Sequence, residues 1–232
     1  MKEKVATVRN MGKAYPTGEG NFWALKHINL EFVRGEFCGL VGPSGSGKTT
    51  LLNILGSLDK PSEGEVEVLG KQVHKLNHRQ ASELRAENLG FIFQTYNLLP
   101  VYSVYENIEF PLLLLKMDAT KRDRMVRDAI EWVGLEDKIK SRPNQLSGGQ
   151  CQRVAIARAM VKRPELVLAD EPTANLDSEN SYMILDTMQN LNKELGTTFI
   201  FSTHDQKVIS YLKRIITLTD GEVSCDDIQI ST

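Results

Sequence analysis

The fold is decided by Phe37-Cys-Gly-Leu-Val-Gly-Pro-Ser-Gly-Ser-Gly-Lys-Thr49, in which an apolar run passes into a glycine-rich turn. The last eight residues match the pattern G-x-x-x-x-G-K-[ST]. Glycines let successive backbone N–H groups curl around an anion, and a helix starting at Lys48 would point the positive end of its dipole at that anion. The stretch therefore predicts a strand, a phosphate-binding loop and a helix.

The loop predicts a nucleoside triphosphate as ligand. In this pattern the lysine ammonium reaches the β- and γ-phosphates, and the hydroxyl after it is a ligand for Mg²⁺. The alternative is a chance glycine-rich turn, which the apolar run before it and the helical pattern after it disfavour. We expect the phosphates to be bound by Gly42, Pro43, Ser44, Gly45, Ser46, Gly47, Lys48, Thr49 and Thr50.

The base of that nucleotide is predicted to be adenine. Proteins specific for guanine usually carry Asn-Lys-x-Asp, and the nearest string, Asn192-Lys-Glu-Leu195, lacks the aspartate and lies in a predicted helix. Tyr15 or Trp23, both upstream of the loop, could stack on the ring instead. We favour Tyr15, and hence ATP.

A second acidic motif, Leu166-Val-Leu-Ala-Asp-Glu171, is an apolar strand that ends in two carboxylates. Asp170 at the strand end could join Thr49 in holding Mg²⁺. Glu171 is expected to point the other way along the pleat, where it could polarise a water for attack on the γ-phosphate. Taken alone, the motif could equally be a solvated acidic turn.

The order of elements predicts an α/β fold with a mostly parallel sheet covered on both faces. Strand patterns lie at residues 37–41, 65–68, 89–93, 166–169, 198–201 and 214–218, and helical patterns at 48–57, 121–133, 147–161 and 178–195. Residues 5–8 and 28–33 are expected as antiparallel strands at the sheet edge. Residues 95–161 interrupt the strand pattern and predict an inserted helical subdomain.

Composition narrows the class of protein. The chain of 232 residues has a formal net charge of −2. It therefore lacks the excess of basic residues that is typical of nucleic-acid-binding proteins. The three cysteines, Cys38, Cys151 and Cys225, lack metal-ligand spacing. A reduced, cytosolic compartment is the simplest interpretation.

Five further strings resemble one family. They are the string Leu146-Ser-Gly-Gly-Gln150, the helical run Gln152 to Ala159, Gln94 after an apolar strand, Ala174-Asn-Leu-Asp177, and Ser202-Thr-His-Asp205. Together with the phosphate loop they resemble the ABC ATPases, in family order and over essentially the whole chain. The resemblance implies one ABC ATPase domain over residues 1–232. Its P-loop NTPase (RecA-like) core would comprise residues 1–94 and 162–232, with an antiparallel β edge subdomain and an α-helical subdomain at 95–161.

The resemblance also implies roles for single residues. Gln94 would contact Mg²⁺ and the attacking water, His204 would contact the γ-phosphate, and Asp177 would lie at the seam of an ATP-dependent homodimer. The string Ser147, Gly148, Gly149 and Gln150 would bind the nucleotide held by the other copy. Catalysis would thus rest on Glu171, His204, Gln94 and Lys48, with Thr49, Gln94 and Asp170 around the metal.

Two more strings, Leu51 to Gly56 and Phe93 to Pro100, most resemble the ATPases of lipoprotein-release and macrolide-export systems. The ATPase that partners a cell-division membrane protein is a near relative, and a soluble ABC ATPase or a non-catalytic nucleotide-binding module are further alternatives. The resemblance implies an integral membrane permease docking near residues 94–109, at the cytoplasmic face of the inner membrane. Cys151 departs from the family, which often has a polar or basic residue there, and a place near a helix start could lower its pKa.

Overall fold

Two sheets form the frame of the molecule. The computed structural model describes residues 3–18 and 20–229. Within them the strands form a four-stranded antiparallel sheet, of order β2-β1-β4-β5, and a six-stranded sheet, of order β10-β9-β3-β8-β7-β6. In chain order the elements are β1 (Lys4–Thr17), β2 (Gly20–Val33), β3 (Phe37–Val41), α1 (Lys48–Leu55), β4 (Glu63–Val68), β5 (Lys71–Gln72), α2 (His78–Asn88), β6 (Leu89–Ile92), α3 (Val104–Leu114), α4 (Ala119–Trp132), α5 (Gly148–Met160), β7 (Leu166–Asp170), α6 (Ser178–Leu195), β8 (Thr198–Thr203), α7 (Gln206–Tyr211), β9 (Arg214–Thr219) and β10 (Glu222–Ile228).

The six-stranded sheet separates two hydrophobic cores. Strands β9, β3, β8, β7 and β6 run parallel, and β10 pairs antiparallel with β9. Because side chains alternate along a strand, Phe199 and Phe201 face one core while Ile200 faces the other. Helices α3 to α6 pack on the first core, and α1 and the antiparallel sheet pack on the second. The α/β fold with a mostly parallel sheet is confirmed.

The antiparallel strands form a separate sheet. We expected residues 5–8 and 28–33 at the edge of the parallel sheet, but β1 pairs with β2 and β4 only. Their apolar side chains pack on the second core instead. One face of the hairpin is thereby buried against that core.

The helices that the sequence predicts begin and end close to their predicted residues. Asp177 caps α6 by accepting from Asn180 N at 2.8 Å, and Gly196 ends the helix with φ 67°. α4 and α5 lie within two residues of their predicted ends. Three helices are not among the predicted ones, α2, α3 and α7, although α3 lies within the predicted helical subdomain. α2 buries a single residue, Leu84, and its polar sequence has little helical periodicity.

No helix in residues 3–18 and 20–229 is long and apolar enough to cross a bilayer.

Candidate active site at the carboxyl ends of the parallel strands

A cavity of about 500 Å³ opens where the parallel strands end. Its walls come from the loop after β3, from the residues after β6, β7 and β8, and from the hairpin of β1 and β2. Because parallel strands all end at the same edge, residues distant in sequence meet there. It is lined by Tyr15, Phe22, Ala24, Ser44, Gly45, Gly47, Lys48, Thr49, Thr50, Gln94, Asp170, Glu171, Ser202 and His204.

The phosphate loop is held by its own lysine. Lys48 Nζ donates to the carbonyls of Gly42 and Pro43, both at 2.8 Å, and the side chain is buried. An ammonium group has three donors, so one remains for a phosphate oxygen. Gly47 has φ 101°, and a Cβ there would lie 2.7 Å from the carbonyl of Ala24, so the turn into α1 requires glycine.

Two oxygen ligands for a cation lie side by side. Thr49 Oγ1 is 3.1 Å from Asp170 Oδ2 and 3.2 Å from Asp170 Oδ1, and Gln94 lines the same cavity. Mg²⁺ prefers oxygen ligands and usually takes one or two from protein beside those of a bound phosphate. The residues present therefore fit a magnesium ion bound together with a nucleotide.

Glu171 leaves the strand in an unusual conformation. Its φ of 47° is positive, which costs a residue other than glycine about 1–3 kcal/mol. The bond from its backbone N–H to the carbonyl of Ser202, 2.9 Å, holds it there. Our expectation that Asp170 and Glu171 point to opposite sides is wrong, because the left-handed turn returns Glu171 to the cavity that Asp170 lines.

The carboxylate of Glu171 is paired with a histidine. His204 Nδ1 lies 2.6 Å from Glu171 Oε1, and Thr203 Oγ1 donates to Oε2 at 3.4 Å. The Glu171 side chain is 15% exposed and that of His204 is 72% exposed. The pair places a fixed base inside the cavity and an accessible imidazole at its mouth, an arrangement able to activate a water beside a phosphate.

The end of the cavity where the adenine base is predicted to bind carries an aromatic residue that the sequence analysis missed, Phe22. Tyr15 is 38% exposed and Phe22, its partner across the hairpin, is 59% exposed, and both line the cavity. Trp23 follows Phe22 and so faces the other side of the strand, where its ring would be 2.9 Å from a Cβ on Gly12. The pairing register of the hairpin was the signal that could have identified Phe22.

The string Leu146 to Gln150, called the signature below, and Asp177 lie elsewhere, and the helix that follows the string, α5, is the signature helix. Ser147 caps α5 in a capping box: its hydroxyl accepts from Gln150 N at 3.3 Å, and Gln150 Oε1 accepts from Ser147 N at 2.9 Å. Ser147 and Gly148 are exposed and Gly149 is buried. None of the five residues Ser147, Gly148, Gly149, Gln150 and Asp177 lines the cavity of its own chain.

Cys151 lies in the first turn of α5, as expected, yet its pKa does not fall. Burial raises the pKa of the thiol, whose Sγ contacts the carbonyl of Pro143 at 3.6 Å. The expectation of a lowered pKa is therefore wrong, because burial disfavours the charged thiolate.

The comparisons with known proteins identify one family. A family model described as "ABC transporter" matches residues 25–174. An ABC transporter ATP-binding protein of Methanocaldococcus jannaschii, MJ0796, is 42% identical over 95% of each chain. The ATP-binding protein LolD of the lipoprotein-releasing system of Francisella tularensis is 42% identical over 96% of this chain and 97% of its own. The macrolide export ATP-binding/permease protein MacB of Pasteurella multocida is 41% identical over 97% of this chain and 35% of its own.

A solved structure extends the comparison to three dimensions. The dimeric post-hydrolysis state of MJ0796, bound to ADP and Pi, has a TM-score of 0.90 and 41% identity, covering 98% of this chain and all of the other. The fold that carries the phosphate loop and the acidic strand end is therefore that of an ATP-binding cassette. The chain is a member of the ABC transporter family, and it is an ATP-binding subunit that hydrolyses ATP.

Proposed function

We propose that this chain binds Mg-ATP between two copies of itself and uses hydrolysis to drive a separate membrane permease. The observation that carries the proposal is the division of the site. One chain supplies the phosphate loop and the carboxylate of Glu171, while Ser147 and Gly148 stand exposed at the N-terminus of α5, outside that cavity. Such an N-terminus binds anions, so it suits the γ-phosphate held by a second copy.

The chemistry assigned to the residues follows from their positions. Lys48 neutralises the β- and γ-phosphates, and Thr49, Asp170 and Gln94 would hold Mg²⁺. The metal supplies charge neutralisation to the phosphate oxygens. Glu171, mostly buried and held by His204, accepts a proton from the water that attacks the γ-phosphorus. Asp177 and the residues Ser147 to Gln150 then complete the site of the other copy.

Dimer formation tests this proposal. Glu171→Gln keeps the size of the side chain but removes its charge, so ATP should bind, remain intact and hold two copies together. We expect a monomer without nucleotide and with ADP, and a dimer with ATP, by size-exclusion chromatography with light scattering. Adding Ser147→Arg should abolish that dimer, since the longer side chain would occupy the space for the opposite phosphate. A Glu171→Gln chain that stays monomeric with ATP bound would refute the two-copy site.

A groove beside the cavity supports docking of a permease. It has a volume of about 510 Å³, and its walls come from α2, β6, α3 and α5. Leu58, Phe91, Phe93, Leu99, Phe110 and Leu114 give it an apolar surface. From the range 94–109 only Asn97 and Leu99 contribute, so the docking surface we propose lies mostly outside that range.

The groove is tied to the ATP site by hydrogen bonds. Arg158, on the signature helix α5, donates to the carbonyls of Tyr96 and Asn97 at 2.7 and 2.6 Å. Asn175 Nδ2 donates to the carbonyl of Gln94 at 3.0 Å. The segment after Gln94 therefore joins groove, signature helix and cavity, as a coupling segment should.

The relatives named LolD and MacB favour a lipoprotein-release or macrolide-export type of system, at the cytoplasmic face of the inner membrane. A photo-cross-linking residue at Leu114, which is 61% exposed in the groove, should capture an integral membrane protein in the native membrane. The same residue at Leu113, which is 45% exposed but does not line the groove, is the matched control. Sequencing the captured protein would separate these systems from a cell-division partner, and equal capture at both positions would refute the groove.

A further inference from the structure

The ring of Tyr15 is held by two charged side chains outside the cavity. Tyr15 Oη donates to Asp59 Oδ2 at 3.0 Å, and Lys13 Nζ donates to Asp59 Oδ1 at 2.6 Å. The same ammonium stands over the tyrosine ring, 4.9 Å from its centroid. The Asp59 carboxylate thus holds the tyrosine hydroxyl, and the Lys13 ammonium covers one face of the ring.

Each partner is itself restrained. Lys13 and Tyr15 lie two residues apart on β1 and so share a face of the strand. Lys13 Nζ also donates to the carbonyl of Lys60 at 2.8 Å, and Asp59 Oδ1 accepts from Lys60 N at 2.7 Å. The Lys13 side chain is only 12% exposed, so the pair is screened by water less than a surface ion pair.

The carboxylate stays ionised at neutral pH. Burial raises the pKa of Asp59, but the hydrogen bonds from Lys13, the Lys60 N–H and Tyr15 outweigh it and lower the pKa overall. Asp59 follows α1, the helix that starts at the phosphate loop. The contact therefore joins the base-binding hairpin to the phosphate-binding element, across 44 to 46 positions of the chain.

We propose that Lys13 and Asp59 are positioning residues that hold Tyr15 for stacking on the adenine ring. With the ammonium over one face, the other face of the ring is the one available to the base. Preorganising an aromatic ring reduces the entropy lost on binding. The pair should raise affinity through the base and leave affinity for the phosphates unchanged. This inference rests on the proposed role of Tyr15 as the adenine platform, that is, as the side chain whose ring stacks on the adenine ring.

The test compares a nucleotide with a ligand that has no base. Binding of the non-hydrolysable ATP analogue AMP-PNP and of inorganic triphosphate, both with Mg²⁺, would be measured by isothermal titration calorimetry. Lys13→Met removes the cation over the ring, and such contacts are worth about 0.5–2 kcal/mol. We expect AMP-PNP to bind about 2- to 30-fold more weakly while the affinity for triphosphate stays the same. Asp59→Asn should act in the same direction.

Conservative and neighbouring substitutions provide the controls. Lys13→Arg keeps a cation over the ring and should restore most of the affinity for AMP-PNP. Lys60→Met removes a neighbouring ammonium, which donates to the carbonyls of His74 and Leu76 rather than contacting Tyr15, and should change neither affinity. In a Tyr15→Leu chain, Lys13→Met should have no further effect, because the ring it positions is gone.

The outcomes separate two failures. If Tyr15→Leu leaves AMP-PNP binding unchanged, the adenine platform itself is wrong. If Tyr15→Leu weakens binding but neither Lys13→Met nor Asp59→Asn does, only the positioning role is refuted. Equal weakening of AMP-PNP and triphosphate would also refute it, since that pattern indicates a distorted phosphate loop. Should Lys13→Met fail to fold, Lys13→Arg and Asp59→Asn decide the question.

Discussion

Replacing Gly149 by alanine tests how the signature helix is packed. The first turn of α5 lies against the first turn of α6, and a Cβ on Gly149 would be 2.4 Å from Asn180 Oδ1 and 2.7 Å from Asn180 Cγ. Neither contact is tolerated. Asn180 must move, losing its 2.8 Å bond to Asp177 Oδ2, or α5 must withdraw from α6.

The expected cost can be worked out from this geometry. Forcing an extra methyl into a packed site costs about 1–3 kcal/mol. Alanine returns up to about 1 kcal/mol through its higher helix propensity. Subtracting that gain from the middle of the cost range, about 2 kcal/mol, leaves a net loss of about 1–2 kcal/mol in the free energy of unfolding. This corresponds to a melting temperature lower by about 2–8 °C for a chain of this size.

The assay is unfolding in urea, followed by circular dichroism, with Gly148→Ala as matched control. A Cβ on Gly148 would approach the Tyr96 hydroxyl at 3.0 Å, the end of a side chain that can move aside. Gly148→Ala should therefore leave stability nearly unchanged.

A double-mutant cycle isolates the cause. Asn180→Ala removes the two atoms that clash, so the cost of Gly149→Ala should be smaller by about 0.5 kcal/mol or more in the Asn180→Ala chain. Strict additivity of the two substitutions, or a Gly149→Ala chain as stable as the unmodified protein, would show that the two helices do not meet as described.

Three further predictions concern the adenine base, the magnesium ion and the cysteine thiols. Phe22→Ala should raise the KM for ATP several-fold, by loss of about 1 kcal/mol or more of stacking. Trp23→Ala should leave the KM unchanged, because the Trp23 ring lies outside the cavity. Equal effects of the two substitutions would contradict this placement. Thr49→Val should raise the Mg²⁺ concentration for half-maximal hydrolysis by about 10-fold or more, and an unchanged titration would remove Thr49 from the metal site. Maleimide at neutral pH should label exposed Cys225 and spare Cys151 until the chain is unfolded. Burial raises the pKa of Cys151, so its thiolate is scarce below that pKa. Rapid labelling of Cys151 in the native state would contradict its burial.

Much of the site could be predicted because its parts are contiguous in sequence. The phosphate loop needs its glycines, lysine and threonine in one turn, so the whole element is visible in eight residues. Asp170 ends an apolar strand, and α6 is bounded by its own capping residue, Asp177, and by Gly196. The physical reason is that strands, caps and anion-binding turns are local structures, set by neighbouring residues.

The remaining features depend on contacts between distant segments. The choice of Phe22 over Trp23 follows from hairpin register, and the return of Glu171 to the cavity follows from a left-handed turn held by Ser202 on the neighbouring strand. The link between Lys13 and Asp59 joins residues 46 positions apart. The sequence by itself determined the fold class and the nucleotide, and it predicted the reacting groups, because each is encoded in a short string. Only the tertiary structure decided where those groups point and what holds them, because orientation is set by packing between elements that the chain brings together after they form.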